Sequence, residues 1–389
     1  MQKSLSERYR VYDTDSHIIE PVDLWTSRVP ARFGDLIPRP TWSEARGEQV
    51  WTIGGKQLYG VGTFAMAGWP EFLPGHPPSL EEADPAAWDA KARLARMTEY
   101  GIHAQVLYPN LIGFFFGAFL QMNQPELLLS CVRAYNDWLA EYASADPDRF
   151  LPMMVLPYWD LDLSLAEMDR CIALGHRGIV AGRLEGAGYP ALRDPHWDPI
   201  WAAAQERGLP VNFHIGFNVD PDWGDKSKTS VFTRSGFAES SSQMFMTNMQ
   251  TLAEVIFSGI LHRHPTLKVV SVESGAGWLP FFIESMDWQF RNTGVHLDMP
   301  DFLLPSEYFM RQVYATFWFE RGSLAPALAG LQNNLMFSTD FPHPTSQTPG
   351  PASFADGPPA YMQDVLGTGD ADIARKVLQD NARHVYQLN

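Results

Sequence analysis

The chain has 389 residues, 45% of them hydrophobic and 13% aromatic, which supplies a large core and places it outside the disordered proteins. Its 29 basic and 45 acidic residues give a formal net charge of −16. That balance argues against nucleic acid or an anionic membrane as main partner, because both select clustered Lys and Arg, and leaves small molecules or other proteins.

The amino terminus, MQKSLSERYR, lacks the apolar stretch of a secretory signal. Cys131 and Cys171 lie far apart inside amphipathic segments, so neither a disulfide framework nor a CxxC metal site is indicated, and a reducing cytoplasm fits best. The most apolar stretch, Leu111 to Leu120, is half of the roughly 20 residues a membrane helix needs.

Short apolar runs then alternate with helical patterns. The runs are Tyr9–Asp13, Ala104–Tyr108, Met153–Leu156, Gly178–Ala181, Pro210–His214, Leu267–Val272, Val313–Trp318 and Leu335–Ser338. Most have no polar face, as expected of a parallel sheet covered on both sides. Helical spacing occupies Pro85–Tyr100, Pro125–Ser144, Leu163–Leu174, Trp197–Glu206, Met244–His262, Leu279–Phe290, Leu324–Leu331 and Asp370–Tyr386. Strand followed by helix, repeated in this way, predicts an α/β fold, the (β/α)8 TIM barrel, as one unit over residues 1–389. Residues 22–84 form an insertion after the first strand, in which VWTIGGKQLYG predicts a hairpin turning at Gly54-Gly55. Phe217–Ser242 and Pro344–Pro359 predict long loops, and loops after strands gather at the catalytic face of such a barrel.

The residues at the strand ends carry the chemistry. The first run continues into Asp13-Thr14-Asp15-Ser16-His17. Alternate residues of a strand share a side, so this is a ligand spacing as much as a strand leaving the core through a polar turn. The fifth run ends in His214, the sixth in Glu273, and the eighth in Asp340 followed by His343. Buried charges converging from separate strands are costly unless paired or bound to a cation.

With DTDSHIIEP, GHRGIVAG, DPIWAAAQERGLPVNFHIG, HPTLKVVSVESGAGWLP and FSTDFPH, the chain resembles the amidohydrolase superfamily, specifically the amidohydrolase-2 branch with aminocarboxymuconate-semialdehyde decarboxylase and related non-oxidative decarboxylases. The resemblance implies His17, His214 and Asp340 as metal ligands, with Asp340 also moving protons. It departs at Asp15, which replaces the first histidine of the family's H-x-H, and at Glu273, which stands where the family often has histidine. Both retain a metal-binding side chain. The expected set for one divalent transition metal is therefore Asp15, His17, His214, Glu273 and Asp340. Zinc and iron suit these donors equally and manganese is a further candidate.

A bound cation can lower the pKa of its water to about 7. With Asp340 as base, the first expectation is hydrolysis of an ester, thioester or amide of a bulky apolar substrate. Glu273 is expected as ligand or base, and His343 as an orienting group or acid. Phe114–Phe116 and Phe317–Phe319 are candidate walls, with packing on the barrel as the alternative. Lys226, Lys228 and Arg234 are the nearest approach to an anion clamp. The alternative activity is non-oxidative decarboxylation of an aromatic or muconate-like acid, which Glu273 speaks against and which a clamp such as Arg183 or Arg321 would favour. A barrel that only binds a ligand is the third reading. His103 and His176 read as structural, and the exposed helix Met244–His262 is a candidate homodimer face.

Overall fold

The computed structural model describes residues 3–217, 233–348, 350–351 and 353–388. The chain joins its sheet at Tyr12 rather than Tyr9, because Ser4 starts a short helix, Leu5–Arg8. Ser4 Oγ accepts the Glu7 amide at 3.3 Å, and Glu7 Oε2 accepts the Ser4 amide at 2.7 Å. Strand β1 therefore runs Tyr12–His17, so the acids and histidine are part of the strand and do not follow it.

The insertion folds as an antiparallel sheet of β2 (Arg39–Ser43), β3 (Glu48–Ile53) and β4 (Lys56–Gly60), in that order. The predicted hairpin is β3–β4, turning on Gly54 and Gly55 at φ 57° and 82°, the positive pair that a primed turn requires. Strand β2 was hidden in the sequence by Pro40. At a sheet edge a proline is tolerated.

The remaining strands are β5 (Ala104–Tyr108), β6 (Phe150–Met154), β7 (Gly178–Ala181), β8 (Val211–His214), β9 (Val269–Val272), β10 (Val313–Phe317) and β11 (Leu335–Phe337). They continue from β1 in chain order as an eight-stranded sheet, each neighbouring pair parallel. The sheet closes on itself where Ser16 bridges to Phe341, with the His17 amide donating to Phe341 O at 2.6 Å and the Asp340 amide to Asp15 O at 2.9 Å. This is the TIM barrel, and every strand residue of β5 to β11 is buried.

Helices follow the strands as expected, with one large shift. The helix after β8 runs Arg234–Phe257 rather than from Met244, capped by Thr233 Oγ1 on the Gly236 amide at 3.0 Å. The serine-rich stretch SGFAESSSQ concealed its first turns. It ends before Gly259, at φ 79°, the left-handed conformation that glycine adopts at no steric cost. Among the described residues no helix is long and apolar enough to cross a membrane.

Candidate metal centre

The β1 pairing with β5 shifts by one residue between Asp13 and Ser16, which breaks strict alternation and separates the two acids. Asp13 turns toward the end of β11, accepting from the Thr339 amide at 2.8 Å and Gln105 Nε2 at 2.8 Å. Burial raises its pKa to about 7. Asp15 lies in the barrel mouth beside His17 and His214.

Both histidines are oriented through Nδ1. His17 Nδ1 donates to Pro109 O at 3.1 Å, and His214 Nδ1 to Ile215 O at 2.7 Å. Each Nε2 is thereby left facing inward, and the two stand 3.0 Å apart. Asp15 Oδ1 is 3.7 Å from His17 Nε2 and 3.5 Å from His214 Nε2. Burial pushes His17 well below the ordinary imidazole range, with His343 and His214 adding to it. At His214 burial opposes charge but is outweighed by Asp15 and Glu273, so its pKa is raised. The cluster thus favours a positive charge between these groups.

Glu273 and Asp340 follow β9 and β11, each at φ 58°, a left-handed conformation that costs a non-glycine residue about 1–3 kcal/mol. Their carboxyls are turned onto the same space. Glu273 Oε2 is 3.5 Å from His214 Nε2, and Asp340 Oδ1 is 3.8 Å from His17 Nε2 and 3.0 Å from His343 Nδ1. Burial raises Glu273 to about 8, and burial together with Glu273 and Asp15 raises Asp340 well above the usual carboxylate range.

A divalent cation fits what the site leaves unsatisfied. Asp15 Oδ1 and Oδ2, Glu273 Oε2 and Asp340 Oδ1 are buried without a hydrogen-bond partner among the described residues. Donor atoms of Asp15, His17 and His214 lie within 4.8 Å of one another, as do those of His17, Glu273, Asp340 and His343. Buried carboxylates and inward imidazole nitrogens without proton donors are the arrangement a cation relieves. All six residues singled out from the sequence therefore converge.

Two supporting residues, Arg93 and Asn110, were not singled out. Arg93, fully buried, donates to His17 O at 2.6 Å, Ala86 O at 2.5 Å and Gln105 Oε1 at 3.2 Å. Asn110 accepts from His343 Nε2 at 2.6 Å, donates from Nδ2 to Ile18 O at 2.8 Å, and has its own amide held by Glu20 Oε1 at 3.0 Å. The available signals were a lone glutamine in the apolar run AQVLY and an asparagine just beyond it. Asn212 lies deeper and accepts from Tyr108 and Tyr386 hydroxyls at 3.1 and 3.0 Å, a structural role.

Above the cluster is a cavity of about 600 Å³, with Glu273 and His343 on its wall. Phe114 and Phe115 line it as expected, joined by Phe64 from the insertion. Phe116 instead packs on Trp159 and Phe217. Phe317 is in the core, and Trp318 and Phe319 reach the cavity only through Phe245, at ring distances of 5.6 and 5.4 Å. The helix expected as a dimer face turns Phe237, Met244 and Phe245 into this cavity and roofs it. Neither expected clamp serves here. Arg183 pairs with Glu185 and Glu254, each at 3.1 Å, and Arg321 with Asp356 at 2.5 Å. Lys226 and Lys228 lie outside the described residues. His103 stacks edge-on against Tyr12 at 5.5 Å, and His176 is buried against Asn136 O at 3.0 Å, so both have the structural roles expected.

Residues 75–388 match the amidohydrolase family model Amidohydro_2. The chain belongs to the amidohydrolase family. Gamma-resorcylate decarboxylase of Rhizobium sp. is 26% identical over 64% of this amidohydrolase and 76% of the relative. The 2-amino-3-carboxymuconate-6-semialdehyde decarboxylase of Dictyostelium discoideum is 26% identical over 54% of either chain, so the match spans about half of that relative's length. A solved dihydroxybenzoic acid decarboxylase of Polaromonas sp. JS666, with bound manganese and the inhibitor 2-nitroresorcinol, superimposes with a TM-score of 0.64 at 18% identity over 98% of both chains. These relatives are decarboxylases, and they overturn the expectation of acyl hydrolysis. Glu273 in place of histidine had spoken against decarboxylation, yet Glu273 lies in the cluster beside His214 and His343.

Proposed function

We propose that this amidohydrolase is a metal-dependent, non-oxidative decarboxylase of an aromatic or muconate-like acid. The observation that carries the reading is the convergence of Asp15, His17, His214, Glu273 and Asp340 at the base of an aromatic-walled cavity. The named relatives support the reaction class, and the manganese-bound neighbour supports manganese alongside zinc and iron.

Asp15, His17, His214 and Glu273 would hold the cation, and the Asp340 carboxyl faces the same space. When bound, it supplies positive charge to the substrate carboxylate and an adjacent hydroxyl or carbonyl. Among the described residues no Lys or Arg lines the cavity, so that charge would come from the cation. The phenylalanine walls flank a flat acid and exclude water, and Ser240 and Ser241 offer hydroxyls at the side.

Asp340, buried and held well above the usual carboxylate range, is suited to general-acid work. Its proton goes to the carbon that bears the carboxylate. The carbon–carboxylate bond breaks, its electron pair restores the unsaturated system, and carbon dioxide leaves. A proton from solvent then returns to Asp340.

The test is carbon dioxide release from dihydroxybenzoates and a carboxymuconate semialdehyde by protein loaded separately with manganese, zinc or iron. Asp340→Asn should lower kcat by about 10²–10⁴-fold with the metal retained. Ester or amide hydrolysis without carbon dioxide release would overturn the proposal.

A further inference from the structure

The cavity over the cluster shares a wall with an outer cleft. Phe237, His343, Pro344 and Thr345 line both the cavity and this wider cleft of about 1060 Å³. Thr345 sits on the shared wall at φ 64°, so the backbone is held in a strained conformation where the two spaces meet.

The outer cleft has a different chemistry. Phe72 and Phe354 stack there with centroids 5.7 Å apart and planes at 27°, although Phe354 is 95% exposed and Phe72 47%. The Arg234 guanidinium lies 5.8 Å from the Phe72 ring centre and forms no ion pair among the described residues. Glu71, the carboxylate on the cleft wall, folds back against Gly75, where a Cβ would meet its Oε2 at 2.5 Å. A paired aromatic surface open to water, beside a guanidinium with no carboxylate partner among the described residues, is complementary to a flat anionic group.

We propose that the substrate is an extended diacid. Its head, the acid that loses carbon dioxide, fills the inner cavity. Its flat tail leaves past Thr345, lies on Phe72 and Phe354, and ends in a second carboxylate paired with Arg234. The head rests on the decarboxylase reading, whereas the tail rests on the outer cleft alone.

Two measurements separate these claims. Binding to metal-loaded protein is measured by calorimetry for a biaryl phenol with a distal carboxylate, for the same compound with a distal amide, and for a single-ring phenol. None carries a scissile carboxylate, so binding is read without chemistry. The carboxylate form should bind at least tenfold tighter than the amide. Arg234→Gln should erase that ratio, and Phe354→Ala, at an exposed position, should weaken both biaryls relative to the single ring. Equal binding of carboxylate and amide by the wild type, or an unaltered ratio in Arg234→Gln, would overturn the proposal. Carbon dioxide release from the corresponding hydroxy acids is measured in parallel. A sustained binding ratio without release from any acid upholds the tail site and defeats the decarboxylase reading.

Discussion

His343 gives its Nε2 proton to Asn110 Oδ1 at 2.6 Å, and that bond decides which ring nitrogen faces Asp340. The amide cannot be turned over, because its Nδ2 is committed to Ile18 O. Nδ1 of His343 is therefore the acceptor, 3.0 Å from Asp340 Oδ1. Burial keeps the ring neutral, with His214 and Arg93 adding to the effect. Asp340, held well above the usual carboxylate range by burial together with Glu273 and Asp15, faces Nδ1.

Asn110→Ala should lower kcat about 10- to 100-fold, the usual effect of removing a partner that orients a site group. Asn110→Asp keeps the acceptor for His343 and should recover part of the loss. Metal content measured on the same samples checks the assignment, since a fall in kcat at full occupancy locates the effect at the His343–Asp340 pair. Unchanged kcat in Asn110→Ala would remove Asn110 from the site's working parts.

His214→Ala takes away an inward nitrogen and leaves Asp15 and Glu273 facing each other without a compensating base. Purified without chelators, the wild type should carry about one divalent metal per chain and the variant almost none, measured by inductively coupled plasma mass spectrometry. Equal metal in both would place the cation elsewhere.

The barrel was legible because its strands are continuous apolar runs, and the cluster because each acid or imidazole directly ends a run. Legibility stopped where residues act through neighbours distant in sequence. Arg93 reads as a surface residue on an amphipathic helix, yet it is enclosed between Ala86, Gln105 and His17. The register shift between Asp13 and Ser16 leaves no mark in D-T-D-S-H. The reaction was misjudged for a similar reason. Glu273 for histidine is a large change in composition, but a small one in a site already holding Asp15, His17, His214 and Asp340.

Arg93→Met should destabilise the protein by about 3 kcal/mol, since the carbonyls of Ala86 and His17 would be buried without their donor. The stacking of the guanidinium on Phe341, at 4.3 Å, is lost as well. Urea unfolding monitored by tryptophan fluorescence reads the change. A difference below about 0.5 kcal/mol, typical of a surface substitution, would contradict this account of Arg93.

Gly216 follows β8 at φ 71°, and a Cβ there would meet Phe114 ring carbons and Met244 Cε at 2.8 Å. Gly216→Ala should cost about 1–3 kcal/mol for the backbone conformation alone. It should also move Phe114, which lines the cavity and stacks on His17 at 5.6 Å. The expected kinetic signature is a raised KM together with a lower melting temperature. Stability equal to the wild type would show that the turn after β8 has room that the geometry denies it.

His176 lies far from the cluster and gives the protein a separate dependence on pH. Its Nε2 donates to Asn136 O at 3.0 Å, while its Nδ1 is buried without a partner among the described residues. Burial lowers its pKa from 6.5 to about 4, so the folded state holds it neutral while the unfolded chain takes up a proton below 6.5. Between these values the unfolded state binds more protons, and stability falls as pH falls. The loss reaches about 3 kcal/mol once pH passes below the folded value, and the contribution is intact above about pH 7. His176→Gln cannot titrate and should lose less stability between pH 7.5 and 4.5, so the difference between wild-type and variant unfolding energies isolates this group from the carboxylates that titrate nearby in pH. If that difference stayed constant across the range, the His176 pocket would have to admit water or a counter-charge on acidification.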